Sequence, residues 1–329
     1  MQRLIFLDMA KAICIILVVI GHYHPENSPE WYSTVWKFIY SFHMPLFMFA
    51  SGYIYIATKR EQAYGSFIWK KAKRLMIPYF VTSVLVITLK LVTQGNAYVA
   101  DPVTLLSYAR MFYLPEAGYF LWFIWALWWM FVVVPLFKTP KSRLILFIIS
   151  VVLAYLPVHL TNLFCISQFK GMFIYFMLGV TAFERKEFIN RFRICPTVIY
   201  FTFAVIEFLY LSGMGKDTFG ILNRIVPFIG IAAVLQLSVQ LKQWVADNKL
   251  NWMLQVSASS YIIYLLHTTF EGFVKAVLSR IPWIWNTDND LIFCAGAVVV
   301  IAAGVVLPVL VHKYILQKFH VTRLLFGLK

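Results

Sequence analysis

An all-α, polytopic membrane protein is the fold class this sequence predicts, on three observations. Of its 329 residues, 61% are hydrophobic, 18% aromatic and only 13% charged, about half the charged share of an ordinary soluble domain. Apolar runs of membrane-crossing length recur from end to end. Basic residues gather in the connections between those runs and favour every second one. The net charge of +15 would point to nucleic acid in a soluble chain; here it marks topology, with some attraction to anionic lipid. No basic patch interleaved with aromatics indicates a nucleic-acid surface. The cysteines, Cys14, Cys165, Cys195 and Cys294, have neither a disulfide framework nor metal-site spacing.

The first run, 4–23, carries Asp8, Lys11 and His22. An ionised side chain at mid-membrane costs on the order of several kcal/mol, so a helix that keeps one turns it toward a polar, protein-lined cavity. At about 100° per residue Lys11 and His22 return to one face, roughly 16 Å apart along the axis. Asp8 lies one turn below Lys11 as its counter-ion. The helix is therefore expected to carry a polar track across the bilayer. Charges inside the apolar run and the lack of a small-x-small site after it argue against a signal peptide.

The second run, 35–57, contains SFHMPLFMFASGY (41–53). Pro45 is expected to kink the helix, and Ser51 and Gly52 allow close packing or expose backbone. His43 lies at a depth similar to His22, and two roles fit it: an inter-helix hydrogen bond or a part in the reaction. The third run, 75–93, is preceded by KKAKR (70–74). Lys70, Lys71, Lys73 and Arg74 serve equally as a positive-inside anchor or as a phosphate site, with Arg74 the deepest. The fourth run, 119–137, holds GYFLWFIWALWWMF (118–131). That is an interfacial aromatic belt, or, at Trp122 and Trp125, a stacking surface for a sugar or adenine. The outer connection 94–118 before it mixes aromatics with Asp101, Arg110 and Glu116.

The fifth and sixth runs, 143–158 and 170–183, are short. The seventh, 196–213, contains an isolated Glu207, for which Arg224 in the eighth, 221–240, is the expected partner. The ninth, 255–278, contains SASSYIIYLLHTTFEGFVK (257–275), where His267, Glu271 and Lys275 recur every four residues along one stripe. Glu271 and Lys275 should pair, as buried charges must, and His267 is placed to assist His22. The tenth run is 291–315. About ten helices around a central polar cavity are expected, forming one domain over 1–329, since neither a linker nor an internal repeat interrupts the chain.

Sorting the connections by side gives twenty Lys and Arg on one face and four on the other: Arg110, Lys170, Lys216 and Arg280. The positive-inside rule then puts both termini in the cytoplasm, Lys11 in the inner half of its helix and His22 near the outer end.

Taken together, the Lys11–His22 spacing, FHMPLFMFASGY, KRLMIPY, LWFIWALW, YFMLGV (175–180) and SYIIYLLH (260–267) resemble the acyltransferase-3 family of integral membrane acyltransferases, in the family's order and over nearly the whole chain. The resemblance implies an O-acyltransferase of the bacterial inner (plasma) membrane. Such enzymes carry acetyl or another short acyl group from cytoplasmic acyl-CoA, without a metal, to a hydroxyl of a cell-surface or lipid-linked glycan. His22 matches the family's essential histidine, Lys11 the basic residue ahead of it, and Arg74 the basic residue ahead of Pro78. Asp8 and His267 are assigned with them to catalysis, and Ser51, Lys70, Lys71 and Lys73 with Arg74 to the donor. His43, Trp122, Trp125, Tyr261 and Glu271 are assigned to the acceptor. The family's frequent extra SGNH hydrolase-like domain is not among these residues, so the membrane domain or a separate partner is expected to do the whole transfer.

On this scheme the nucleotide and phosphates stay at the basic mouth, and the pantetheine arm, comparable in length to the track of roughly 16 Å, brings the thioester toward His22. His22 then acts as general base or is itself acylated. A transporter or flippase of a polar glycan or lipid and a structural envelope subunit are the alternatives from other classes.

Overall fold

A computed structural model describes residues 4–25, 28–95, 101–158, 160–189, 191, 194–213, 220–285 and 289–328. The expected inner-face residues Arg3, Arg193 and Lys329 and the outer-face Lys216 lie outside them. All regular structure among the described residues is helical. The principal helices are α1 (Ile5–His22), α2 (Glu30–Ala57), α3 (Tyr64–Thr93), α4 (Trp122–Val133), α5 (Pro140–Tyr155), α6 (Ile166–Glu184), α7 (Pro196–Leu211), α8 (Ile221–Ala246), α9 (Asn251–Leu278) and α10 (Asp290–Val311), followed by the short α11 (His320–Leu325). Each predicted run is thus helical. Six stretches are long and apolar enough to cross a membrane: Ile5–His22, Tyr64–Thr93, Tyr119–Leu136, Leu163–Glu184, Ile221–Val245 and Asp290–Leu316. Among those outside this set are α2, which carries Glu30, Lys37 and His43, and α9, which carries His267, Glu271 and Lys275.

Several boundaries differ from expectation for local reasons. Helix α3 begins at Tyr64, not near 75, because Lys, Ala, Arg and Leu are good helix formers and nothing breaks the run. The KKAKR segment is therefore helical and continuous with the apolar part. Pro45 and Pro78 lie inside unbroken helical assignments in α2 and α3. Helix α5 starts earlier than expected, where Thr139 accepts a hydrogen bond from the Ser142 N–H and the Ser142 hydroxyl reciprocates, with Pro140 in the first turn.

The chain's contacts divide it into two units, Met1–Ala50 with Lys186–Val309, and Ser51–Arg185 with Leu310–Lys329; the division falls inside α2. Lipid is as apolar as leucine, so close approach and inter-helix hydrogen bonds, rather than apolar burial, hold membrane helices together. In the first unit α1 packs against α8 and α9, and α7 against α8. Val19, Ile262, Ile263 and Leu265 are fully buried there, and Tyr23, Tyr32 and Phe293 form an aromatic cluster on Ala297 and Val300. In the second unit α6 packs on α4 and α5, and α4 on α3. The Tyr79 hydroxyl, with its ring fully buried, bridges the carbonyls of Met111 (2.8 Å) and Leu114 (3.0 Å). Buried Arg143 pairs with Glu184 and donates to the carbonyls of Phe137 and Lys138.

Candidate active site

Helix α1 runs without interruption from Ile5 to His22, so Lys11 and His22 stand roughly 16 Å apart along its axis. At the lower end, the Lys11 ammonium is 3.0 Å from the Asp8 carboxylate, as its spacing predicts. That carboxylate also accepts from the Ser257 hydroxyl of α9 at 3.0 Å, a partner not anticipated from sequence.

At the upper end, α9 brings His267 to His22, ring centroids 4.9 Å apart and planes at 63°. His267 has no solvent exposure. Its Nδ1 lies 3.0 Å from the Ile263 carbonyl and 2.9 Å from that of Tyr264. Carbonyl oxygens only accept, so Nδ1 carries the proton of the neutral ring and Nε2 is left as the acceptor nitrogen. His43 is held the same way, with Nδ1 2.7 Å from the Ile39 carbonyl. The Tyr40 ring stands beside both, at 4.7 Å from His43 and 6.5 Å from His22. The Cys14 thiol donates to the His43 carbonyl at 2.9 Å, tying α1 to the first part of α2. Among the described residues no three His, Cys, Asp or Glu side chains converge as metal ligands.

Lys275, one turn beyond Glu271, is 3.9 Å from that carboxylate and donates to the backbone carbonyl of His22 at 3.3 Å. Helix α1 ends at His22, where the last carbonyls lack intrahelical partners and the helix dipole favours a cation. The ammonium therefore caps the helix at the residue that carries the imidazole, and it also faces the Tyr23 ring at 5.3 Å. Glu271 is 1% exposed, and it fits because α10 presents Gly304 to it. A Cβ at Gly304 would stand 2.9 Å from Glu271 Oε1 and 2.8 Å from Val19 Cγ1.

His22, His267, His43 and Glu271 are thus brought together in one unit, with Lys11 and Asp8 farther down the same α1 face. Tyr261 lies half-buried on α9 in that unit. Glu207, expected to pair with Arg224, is buried and accepts from the Ser41 hydroxyl; that α2 partner is too distant in sequence to be read from spacing. Tyr40, Ser257 and Gly304 were missed for the same reason.

The remaining assigned residues belong to the second unit. Lys71 is stacked 3.6 Å over the Phe131 ring, Lys70 donates to Gln62 at 2.9 Å, Lys73 lies 5.0 Å over Trp69, and Arg74 is exposed. Ser51 is half-buried. Trp125 is buried, its ring packed edge-on against Tyr79 (5.6 Å) and Phe164 (5.4 Å), whereas Trp122 is half-exposed. The tryptophan run therefore divides between core and surface.

The chain matches the family model described as "Acyltransferase domain" over residues 4–311. It is 28% identical to the nodulation protein NolL of Sinorhizobium fredii over 233 residues, 68% of this chain and 61% of that protein. It is 25% identical to the nodulation protein NolL of Mesorhizobium japonicum over 333 residues, 91% of this chain and 85% of that protein. No solved structure matches.

Proposed function

Because the chain belongs to the acyltransferase family whose model covers residues 4–311, and is a membrane O-acyltransferase, we propose that it moves a short acyl group, acetyl foremost, from acyl-CoA to a hydroxyl of a cell-surface or lipid-linked glycan. Its place is the bacterial inner membrane with both termini cytoplasmic, a reading supported by the asymmetry of Lys and Arg between alternate connections.

The observation that carries the site assignment is the His22–His267 contact at 4.9 Å, with Lys275 on the His22 carbonyl. His22 acts as general base: a neutral imidazole takes the proton of the acceptor hydroxyl as its oxygen attacks the thioester carbonyl, a contribution of about 10²–10⁴-fold. The thioester carbon–sulfur bond breaks, the thiolate leaves, and the proton on His22 goes to it. His267, its Nδ1–H held by backbone carbonyls, is fixed edge-on against the His22 ring and positions it by packing. An acyl-histidine intermediate uses the same residue but gives the proton no such simple path. The donor's phosphates are assigned to the basic first turns of α3, Lys70, Lys71, Lys73 and Arg74. The Lys11–Asp8 pair supplies a neutralised polar stretch along α1.

The test is acyl transfer from labelled acetyl-CoA by the purified full-length protein. His22→Ala is expected to abolish transfer with expression and folding intact; a well-folded variant with full transfer would refute the assignment.

A further inference from the structure

The last helix, α11, is closed by a cap of defined geometry. Gly327 has φ +64°, its N–H donates to the Leu324 carbonyl at 3.2 Å, and the Leu328 N–H donates to the Arg323 carbonyl at 2.8 Å. Together these form a Schellman motif with glycine in the left-handed position. The same glycine abuts α3. A Cβ there would lie 2.7 Å from the Arg74 carbonyl oxygen and 3.0 Å from the Arg74 Cα, and α11 packs on α3. Backbone strain and contact thus both demand glycine, and the two elements are clamped at Arg74. Arg323, at the start of that cap, has its Nε withdrawn from solvent with no hydrogen-bond partner among the described residues. A guanidinium has only donors, and a buried donor on a charged group is costly to leave unmatched.

We propose that Arg323, docked against the basic start of α3 by the Gly327 cap, binds phosphate together with Arg74. A phosphate oxygen suits it because it is anionic and accepts several N–H groups of a planar fork at once. Lys70, Lys73 and Arg74 supply further positive charge on the helix that α11 touches. The phosphate belongs to the acyl-CoA donor, which rests on the function proposed above, or to an anionic lipid headgroup.

Two binding measurements on the full-length protein separate these sources. Coenzyme A affinity is measured in neutral detergent, and thermal stabilisation by phosphatidylglycerol over phosphatidylcholine is measured in nanodiscs. Arg323→Ala is expected to weaken coenzyme A binding by about tenfold or more, one charge-assisted contact's worth, while Lys318→Ala, on the exposed approach to α11, leaves it unchanged. Loss confined to the phosphatidylglycerol effect supports the site and assigns it to lipid. If Arg323→Ala does not fold, Arg323→Gln, which keeps most of the bulk without the charge, is expected to show the same loss. A folded Arg323→Ala or Arg323→Gln protein that matches the parent in both measurements overturns the proposal. His22→Ala separates the two ideas: it is expected to bind coenzyme A normally while losing transfer. A parent protein that binds no coenzyme A removes the donor reading and leaves the lipid measurement to decide the site.

Discussion

Gly304→Ala puts a methyl group where three atoms already stand: Val19 Cγ1 at 2.8 Å, Glu271 Oε1 at 2.9 Å and Glu271 Cγ at 3.0 Å. Comfortable contact lies at about 3.5–4.0 Å, so roughly half an ångström or more must come from Val19 on α1, from Glu271 on α9, or from both. Overpacking of this kind costs about 1–3 kcal/mol, and the better helix propensity of alanine offsets up to about 1 kcal/mol of it. The net effect on stability is therefore about 0–3 kcal/mol. Activity should suffer more. Lys275 holds Glu271 at 3.9 Å and the His22 carbonyl at 3.3 Å, both near the outer limit for such contacts, so a displaced carboxylate releases the cap on α1. A misplacement of about 1 Å at a reacting centre costs on the order of 100-fold, so a shift of half that is expected to lower transfer about tenfold. The assay is labelled acetyl transfer beside thermal unfolding, both in one detergent. Val19→Ala in the Gly304→Ala background should restore part of the loss by making room on α1. Full activity in Gly304→Ala would refute the link from this close approach to the histidine site.

Two further perturbations probe the second unit. A methyl group at Gly52 would fall on the Phe176 carbonyl, a backbone atom that no rotamer change can move aside; Gly52→Ala should therefore give little monodisperse protein on gel filtration, and a normal yield of equally stable protein would exclude that α2–α6 contact. Arg143→Ala leaves the half-buried Glu184 carboxylate and the Phe137 and Lys138 carbonyls without their buried donor. A loss of about 3–5 kcal/mol is expected, read by denaturant unfolding, with Arg143→Lys intermediate; a loss under about 1 kcal/mol would show that water reaches the pair.

Much of the candidate site could be read from spacing within single helices. The Asp8–Lys11 and Glu271–Lys275 pairs are separated by one helical turn, and the structure shows both. His267, on the stripe it shares with Glu271 and Lys275, is expected from sequence to assist His22, and the structure brings the two rings to 4.9 Å. What escaped was set by chain crossings. Ser41 on Glu207, Ser257 on Asp8 and Lys275 on the His22 carbonyl join residues 166, 249 and 253 positions apart, and no periodicity carries such pairings. The start of α3 differs for another reason: hydropathy marks only the apolar run from 75, whereas the helix extends back to Tyr64, since Lys and Arg continue a helix readily.

By itself, the sequence determined that the chain is helical and membrane-embedded, which runs become helices, and which polar side chains share a face. Those properties follow from hydropathy and from a fixed rise and turn per residue. Only the tertiary structure decided which nitrogen of His267 holds its proton, what caps α1 at His22, why a side chain at position 304 would crowd Glu271 and why position 327 must be glycine, and that the C-terminal turn is clamped to Arg74. Each of these depends on separations of a few ångströms between segments far apart along the chain, and in a membrane it is such close fits, more than apolar burial, that select one packing over another.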